Sequence, residues 1–374
     1  MIYFDANASV PVRDTAKDAI KNALSLDGNP SSPHGRGRKI RQLLDNARKS
    51  VASALGGLEK QVVFTSGATE GNRWFTQALH LLALKNGRPL NIATSSLEHP
   101  SMAKPLLNQS AQDLFRLYEI PVSLDGEWDL DAIPWAQMDV VQTTLAHNET
   151  GLLLPADAIA ERLSESTLWA VDASQSFARI DKPPQRTDFI VVSGHKAGAP
   201  SGCGAILMRG RAQALPTPWL GGGQENGLRP GTEAWLLQLA FGAVCEEITE
   251  IRKANQALVS WRDNVEKILL NEWPGAQVLF QKCDRLPNTS AIVLNGVNGE
   301  ALRMAVDVSG VCVGFGAACS ALAPEPSPAL LALGLTPQQA RSTLRISLPT
   351  DLSEENLHLG LKRLVAVGKR LLQR

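Results

Sequence analysis

Lys196 follows the apolar run Phe189–Val192 in the stretch Ser193-Gly194-His195-Lys196, with Ala197 and Gly198 behind it. Small flanking residues leave room for a bulky adduct, and a lysine amine placed this way can condense with a carbonyl. Four further polar clusters close apolar runs in the same manner. Phe64 is followed by Thr65-Ser66-Gly67-Ala68-Thr69-Glu70, and Ala93 by Thr94-Ser95-Ser96-Leu97-Glu98-His99. Leu145 is followed by Ala146-His147-Asn148-Glu149, and Val171 by Asp172-Ala173-Ser174-Gln175.

Taken singly, each cluster has an ordinary explanation, because strands commonly end in polar turns. Together they offer a coherent chemistry. Ser66-Gly67-Ala68-Thr69 opens a helical stretch, where free backbone N–H groups and the Thr69 hydroxyl can hold a phosphate. A carboxylate at the end of a buried strand, as at Asp172, calls for a cationic partner, which a protonated pyridine nitrogen supplies. His99 can stack its ring on a cofactor and shuttle protons. Anchor, pyridinium partner and imine-forming amine are what pyridoxal 5′-phosphate (PLP) requires of a protein.

The elements that position these residues are legible in outline. Strand candidates are Gln61–Thr65, Leu90–Thr94, Val140–Leu145, Leu168–Val171, Phe189–Ser193 and Ala205–Met208, alternating with amphipathic helical stretches such as Arg73–Leu84. Such alternation implies an α/β domain with a mainly parallel sheet, whose ligand lies outside the carboxyl ends of the strands. Glu246–Asn271 reads as one long helix leading to a smaller C-terminal domain, and Asp351–Gln373 as a closing amphipathic helix. With 374 residues the chain exceeds the usual size of a single core. The expected division is a large PLP-binding domain over 12–250 and a small α/β domain formed by 1–11 and 251–374.

Lys+Arg and Asp+Glu both number 37, so no net charge favours nucleic acid or an anionic membrane as partner. No apolar stretch approaches the ~20 residues that span a bilayer. The N-terminus lacks the pattern of a signal peptide. Five cysteines at irregular spacing, with no Cys-x-x-Cys pair, suggest neither a disulfide framework nor a metal site. Reduced thiols and a cytoplasmic location are the expectation.

At this point the motifs resemble a known family. Phe4–Ser9 (FDANAS), Gly28–His34 (GNPSSPH), Thr65–Asn72 (TSGATEGN), Glu98-His99 and Asn148–Gly151 (NETG) are similar to those of class V, fold-type I PLP enzymes. So are Val171–Gln175 (VDASQ), Ser193–Lys196 (SGHK), Gly221–Glu233 (GGGQENGLRPGTE) and Gly316–Ser327 (GAACSALAPEPS). Order and intervals resemble the cysteine desulfurases of the long-catalytic-loop type. The resemblance implies that Lys196 is the Schiff-base lysine, Asp172 the partner of the pyridine nitrogen, His99 the stacking ring and Gln175 the donor to the cofactor phenolate. It assigns phosphate binding to Ala68, Thr69, Ser193 and His195, with Thr232 contributed by the other subunit of a homodimer. Asn148 looks like a ligand of cofactor and substrate, and Asn7 and Arg345 like substrate ligands, Arg345 through its bidentate fork.

Cys319 is expected to decide the reaction. Small residues and prolines around it indicate an exposed loop, whereas Cys203, Cys245 and Cys312 suit buried positions. By resemblance, L-cysteine is converted to L-alanine, a persulfide forms on the Cys319 thiolate, and the sulphur passes to an acceptor protein for iron–sulphur cluster assembly or another thiolation pathway. Selenocysteine lyase or transaminase chemistry on the same scaffold is the nearest alternative, and a non-catalytic PLP-holding scaffold a more distant one. His147 stands where the family has asparagine, and Ala197–Ser201, Asn226, Pro230 and Ala234 also depart from its pattern.

Overall fold

The computed structural model describes residues 1–315 and 325–373. Twelve strands fall in two sheets: β1 (Ile2–Phe4), β2 (Val62–Thr65), β3 (Leu90–Ser95), β4 (Phe115–Ile120), β5 (Val140–Thr144), β6 (Leu168–Asp172), β7 (Phe189–Ser193), β8 (Gly204–Met208), β9 (Ala276–Val278), β10 (Thr289–Leu294), β11 (Val311–Phe315) and β12 (Thr343–Ser347), counted among the described residues. The larger sheet has the order β2-β8-β7-β6-β5-β3-β4. All its neighbours pair in parallel except β8, which is antiparallel to both β2 and β7. The architecture is α/β, as the sequence pattern implies.

The central strands are apolar on both faces because helices cover both. Alternate residues divide accordingly: Ile190 and Val192 join a core with Phe64, Leu44 and Phe241, while Phe189 and Val191 join one with Val63, Trp74 and Phe75. The helix Ala68–Asn86 is fixed on the second face by Trp74 and Phe75, whose rings lie 5.7 and 4.6 Å from that of Phe189. Gly71 allows this approach, since a Cβ there would stand 2.8 Å from both Ile206 and Val191. The phosphate-type helix start and the strand leading to Lys196 are thereby locked together.

The smaller sheet, β1-β11-β12-β10-β9, mixes residues from both chain ends. Ile292 and Leu294 face helices of the C-terminal region, while Ala291 and Val293 pack with Leu97 and Leu152, which flank the larger sheet's site. An isolated bridge between Asp5 and Ser347 and a bond from the Asn7 N–H to Ser347 Oγ (2.9 Å) carry the N-terminal segment over that site.

Two expectations are corrected. The stretch 246–271 is not one helix: Trp235–Glu246, Ile248–Gln256 and Val259–Glu272 are separate. No proline or glycine breaks them. Instead Asn255 donates to the Ala178 and Ile251 carbonyls and Gln256 to that of Arg179, tying the junction to the segment after β6. Sequence periodicity also passes over β4, an edge strand whose Arg116 and Glu119 interrupt the apolar pattern, as edge strands commonly do. Cys203 and Cys245 are buried as expected, but Cys312 is only half-buried on β11.

Gly71→Val overfills the helix–sheet contact, and such overpacking costs about 1–3 kcal/mol. The denaturant midpoint should fall accordingly; an unchanged midpoint would show that the helix is not held by this approach.

Candidate active site

Asp172 ends β6 and is 5% exposed. Its Oδ2 accepts from Asn72 Nδ2 at 2.8 Å and its Oδ1 from the Ser174 N–H at 2.9 Å. Asn72 also donates to Ser101 Oγ (3.0 Å), which lies 2.8 Å from His99 Nδ1. The Ser101 N–H donates to the same Nδ1 at 3.1 Å, so in the neutral ring the proton sits on Nε2. Burial depresses the His99 pKa, the charge of Lys196 adds to this and Asp172 opposes it. A continuous chain of hydrogen bonds thus orients the carboxylate and the imidazole together. Asn72 and Ser101 were not assigned roles by sequence reasoning. The only signals are that Asn72 lies three positions beyond Thr69 on one helix and that Ser101 follows His99-Pro100 at a helix start.

The helix Ala68–Asn86 begins after Gly67, at φ 152°, with no side-chain cap. Its first N–H groups are therefore available to an anion. Ser193 Oγ stands 3.6 Å from where a Gly67 Cβ would lie, and Gly204 passes so close that its Cβ would meet Gly67 Cα at 2.8 Å. Ala68, Thr69 and Ser193 are thus assembled at one point. His195 and Lys196 follow in the 3-10 turn Gly194–Lys196, both half-buried. His195 Nδ1 lies 3.3 Å from Ser9 Oγ, and burial, then Lys196 and Arg179, push its pKa down to about 4.

The smaller sheet delivers Arg345, which is 2% exposed. Its Nη2 pairs with Asp5 Oδ1 at 2.6 Å and its Nη1 donates to the Asn148 carbonyl at 3.2 Å. Gly314 makes space, since a Cβ there would lie 2.6 Å from the guanidinium. Asn7 donates to the same Asn148 carbonyl (3.2 Å) and to Thr289 Oγ1 (2.9 Å), while its own carbonyl accepts from Gln175 Nε2 (2.9 Å). His147 is buried one residue earlier, with Nδ1 2.9 Å from Thr150 Oγ1. Burial, Arg345 and His99 push its pKa down to about 3, so it serves as a neutral brace of the turn.

Ser174 Oγ, Gln175 Oε1, Glu98 Oε2, Glu149 Oε2 and Arg345 Nε are all buried without a hydrogen-bond partner. Buried polar atoms rarely stay unpaired, so their concentration at one sheet edge suits a polar ligand. The donor set fits PLP: a free helix start beside Ser193, an oriented carboxylate at Asp172, a ring at His99 and an amine at Lys196. Thr232 is exposed and makes no hydrogen bond to these residues. Cys319 lies outside the described residues. No group of metal-ligating side chains occurs among the described residues.

Glu98, directly before His99, is a buried acid the motif reading left unassigned. Ser95 Oγ donates to its Oε1 at 2.7 Å. Burial chiefly, and Asp172 further, push its pKa up to about 8 from the usual 4.5. Between those values the folded state holds a proton that the unfolded chain has lost, so stability should fall as pH rises from about 5 to 8. Glu98→Gln should flatten that part of the stability curve by urea titration. An unchanged slope would mean that Glu98 does not hold the proton.

The described helices include none long and apolar enough to cross a membrane. Over nearly the whole chain, solved and curated proteins are similar. A cysteine desulfurase of Nostoc sp. is 31% identical over 379 residues, covering 99% of this chain and 94% of that protein. Human selenocysteine lyase is 30% identical, covering 98% of this chain and 92% of its own length. The X-ray structure of a NifS-like protein from Rickettsia africae superposes with a TM-score of 0.85 at 26% identity, covering 99% of each chain. The model of the family described as aminotransferase class-V matches residues 2–359. With that match over nearly its whole length, the chain belongs to the aminotransferase class-V family.

Proposed function

We propose that this chain is a PLP-dependent cysteine desulfurase in which Lys196 holds the cofactor and Cys319 receives the sulphur. PLP is the cofactor of the family, and when bound it supplies an electron sink next to the substrate α-carbon. The observation that carries the reading is the Asp172–Asn72–Ser101–His99 chain of hydrogen bonds beside Lys196. It fixes the orientation of a carboxylate and of an imidazole ring relative to each other.

The residues then divide the work. Asp172 would partner the pyridine nitrogen, His99 would stack on the ring, and the Gln175 amide would donate to the phenolate oxygen. Ala68, Thr69, Ser193 and His195 would hold the phosphate, joined by Thr232 of a second subunit in a homodimer. Asn7 and Asn148 line the substrate side. The planar guanidinium of Arg345 is the proposed ligand of the substrate carboxylate. Lys196 takes the α-proton. The substrate C–S bond breaks, its sulphur bonds to Cys319 Sγ as that thiol gives up its proton, the β-carbon gains a proton, and the α-carbon regains the proton that Lys196 had taken. Cysteine and thiol thus become alanine and persulfide with no outside oxidant. A protein thiol in the cytoplasm is the proposed acceptor, in iron–sulphur cluster assembly or another thiolation pathway. The division into 12–250 and 1–11 with 251–374 follows the two sheets and is part of the same proposal.

The likeness to selenocysteine lyase supports a second reading, in which selenocysteine is the preferred substrate. Comparing kcat/KM for the two amino acids separates them. Cys319→Ala should abolish alanine release from cysteine and leave cofactor absorbance intact, with mass spectrometry placing the wild-type persulfide on Cys319. Undiminished alanine release by Cys319→Ala would overturn the assignment.

A further inference from the structure

The helix that starts at Ala68 carries an acid in its first turn, Glu70, whose side chain is 13% exposed. Its Oε2 accepts the Ser66 N–H at 2.7 Å, and its Oε1 accepts Arg229 Nε at 2.9 Å. The Gly67 N–H is also taken, by Thr65 Oγ1 at 3.3 Å. The helix's own bonds begin with Gly71, whose N–H goes to the Gly67 carbonyl at 3.2 Å. The N–H groups left open are therefore those of Ala68, Thr69 and Glu70. Burial acts to raise the Glu70 pKa, but the bonds from Arg229 and Ser66 outweigh it and hold the carboxyl below its usual range. A negative charge thus stands within one turn of the donors assigned to the cofactor phosphate, which is itself mostly a dianion at neutral pH.

Like charges this close oppose each other, so Glu70 shapes the turn and at the same time works against its ligand. Arg229 answers that conflict, and its place is fixed by more than the ion pair. Trp74 Nε1, one helical turn beyond Glu70, donates to the carbonyl of the preceding Leu228 at 2.9 Å. Further back, Glu225 accepts Arg48 Nη1 at 2.6 Å and Nη2 at 2.7 Å, and its Oε2 also accepts the Phe64 N–H of β2 at 2.9 Å. These bonds hold Glu225 and Asn226 in left-handed backbone, φ 49° and 57°, which residues other than glycine seldom adopt. A strained turn kept in place by its surroundings points to a role for what it delivers, which is Arg229 against Glu70.

We propose that Arg229 is a charge partner built into the phosphate site, neutralising Glu70 so that its carboxylate can hold the Ser66 turn without repelling the cofactor phosphate. Arg229 is thereby a positioning residue that acts through Glu70, not by contact with the phosphate. This rests on the reading of Ala68 and Thr69 as phosphate ligands.

The full-length protein, stripped of cofactor, is titrated with PLP and with pyridoxal, which lacks the phosphate, following cofactor absorbance. Arg229→Met should raise the Kd for PLP about tenfold or more and leave that for pyridoxal within about twofold. Adding Glu70→Gln to Arg229→Met keeps an acceptor for Ser66 but removes the charge, and should return the PLP Kd to within about threefold of wild type. An unchanged PLP Kd in Arg229→Met would overturn the proposal. So would an equal loss for both ligands, or a loss that Glu70→Gln does not rescue. If Arg229→Met does not fold, Glu70→Gln decides alone: PLP should bind more tightly with pyridoxal unchanged, and unchanged or weaker PLP binding would overturn the role. Wild-type protein that binds pyridoxal as tightly as PLP would overturn the phosphate reading and the charge partner together.

Discussion

The bond from Asn72 to Asp172 is the constraint on which the site depends. A carboxylate at the end of a buried strand needs an orienting partner, and a hydrogen bond to a charged group is worth roughly 1.5–3 kcal/mol. Asn72 can supply it only if the helix Ala68–Asn86 lies flat on β7, as Gly71, Trp74 and Phe75 ensure. The same helix presents its start to Ser193, so packing that serves the core also sets the spacing between phosphate cradle and carboxylate. Through Ser101 the constraint extends to His99, whose ring orientation is fixed by a neighbour on its own helix start.

A second constraint comes from the smaller sheet. Arg345 reaches the larger sheet's edge fully buried, and it is tolerated there because Asp5 and the Asn148 carbonyl meet its charge. Neither Asp5 nor Arg345 belongs to the larger sheet. The chain's N-terminal segment and β12 are carried there by the bridge at Ser347 and by Asn7, which links the Asn148 carbonyl to Thr289. The substrate side of the pocket is therefore assembled from both ends of the chain, and the cofactor side from consecutive strand ends.

That division explains what could be read in the sequence. Strand ends with polar clusters are local features, so the positions of Lys196, Asp172, His99 and the Ser66–Thr69 turn follow from pattern alone. Orienting residues are not local. Asn72 and Ser101 look like ordinary helix polar residues until the fold brings them against Asp172, and Glu98 reveals itself as a buried acid only through its packing. The missed strand β4 and the broken helix 246–271 have the same cause. Charged edge positions hide a strand, and tertiary bonds from Asn255 and Gln256 divide a helix that carries no breaker. Cys319 is singled out partly by its surrounding small residues and prolines and mainly by resemblance, and it lies outside the described residues.

The central claim is that the strand-end cluster holds PLP through Lys196. Borohydride reduction of the PLP-loaded protein, followed by peptide mapping, tests it most directly. A phosphopyridoxyl group on the peptide bearing Lys196, and on no other lysine, is the expected result. Labelling of a different lysine, or none in a sample that retains the cofactor's absorbance, would contradict it.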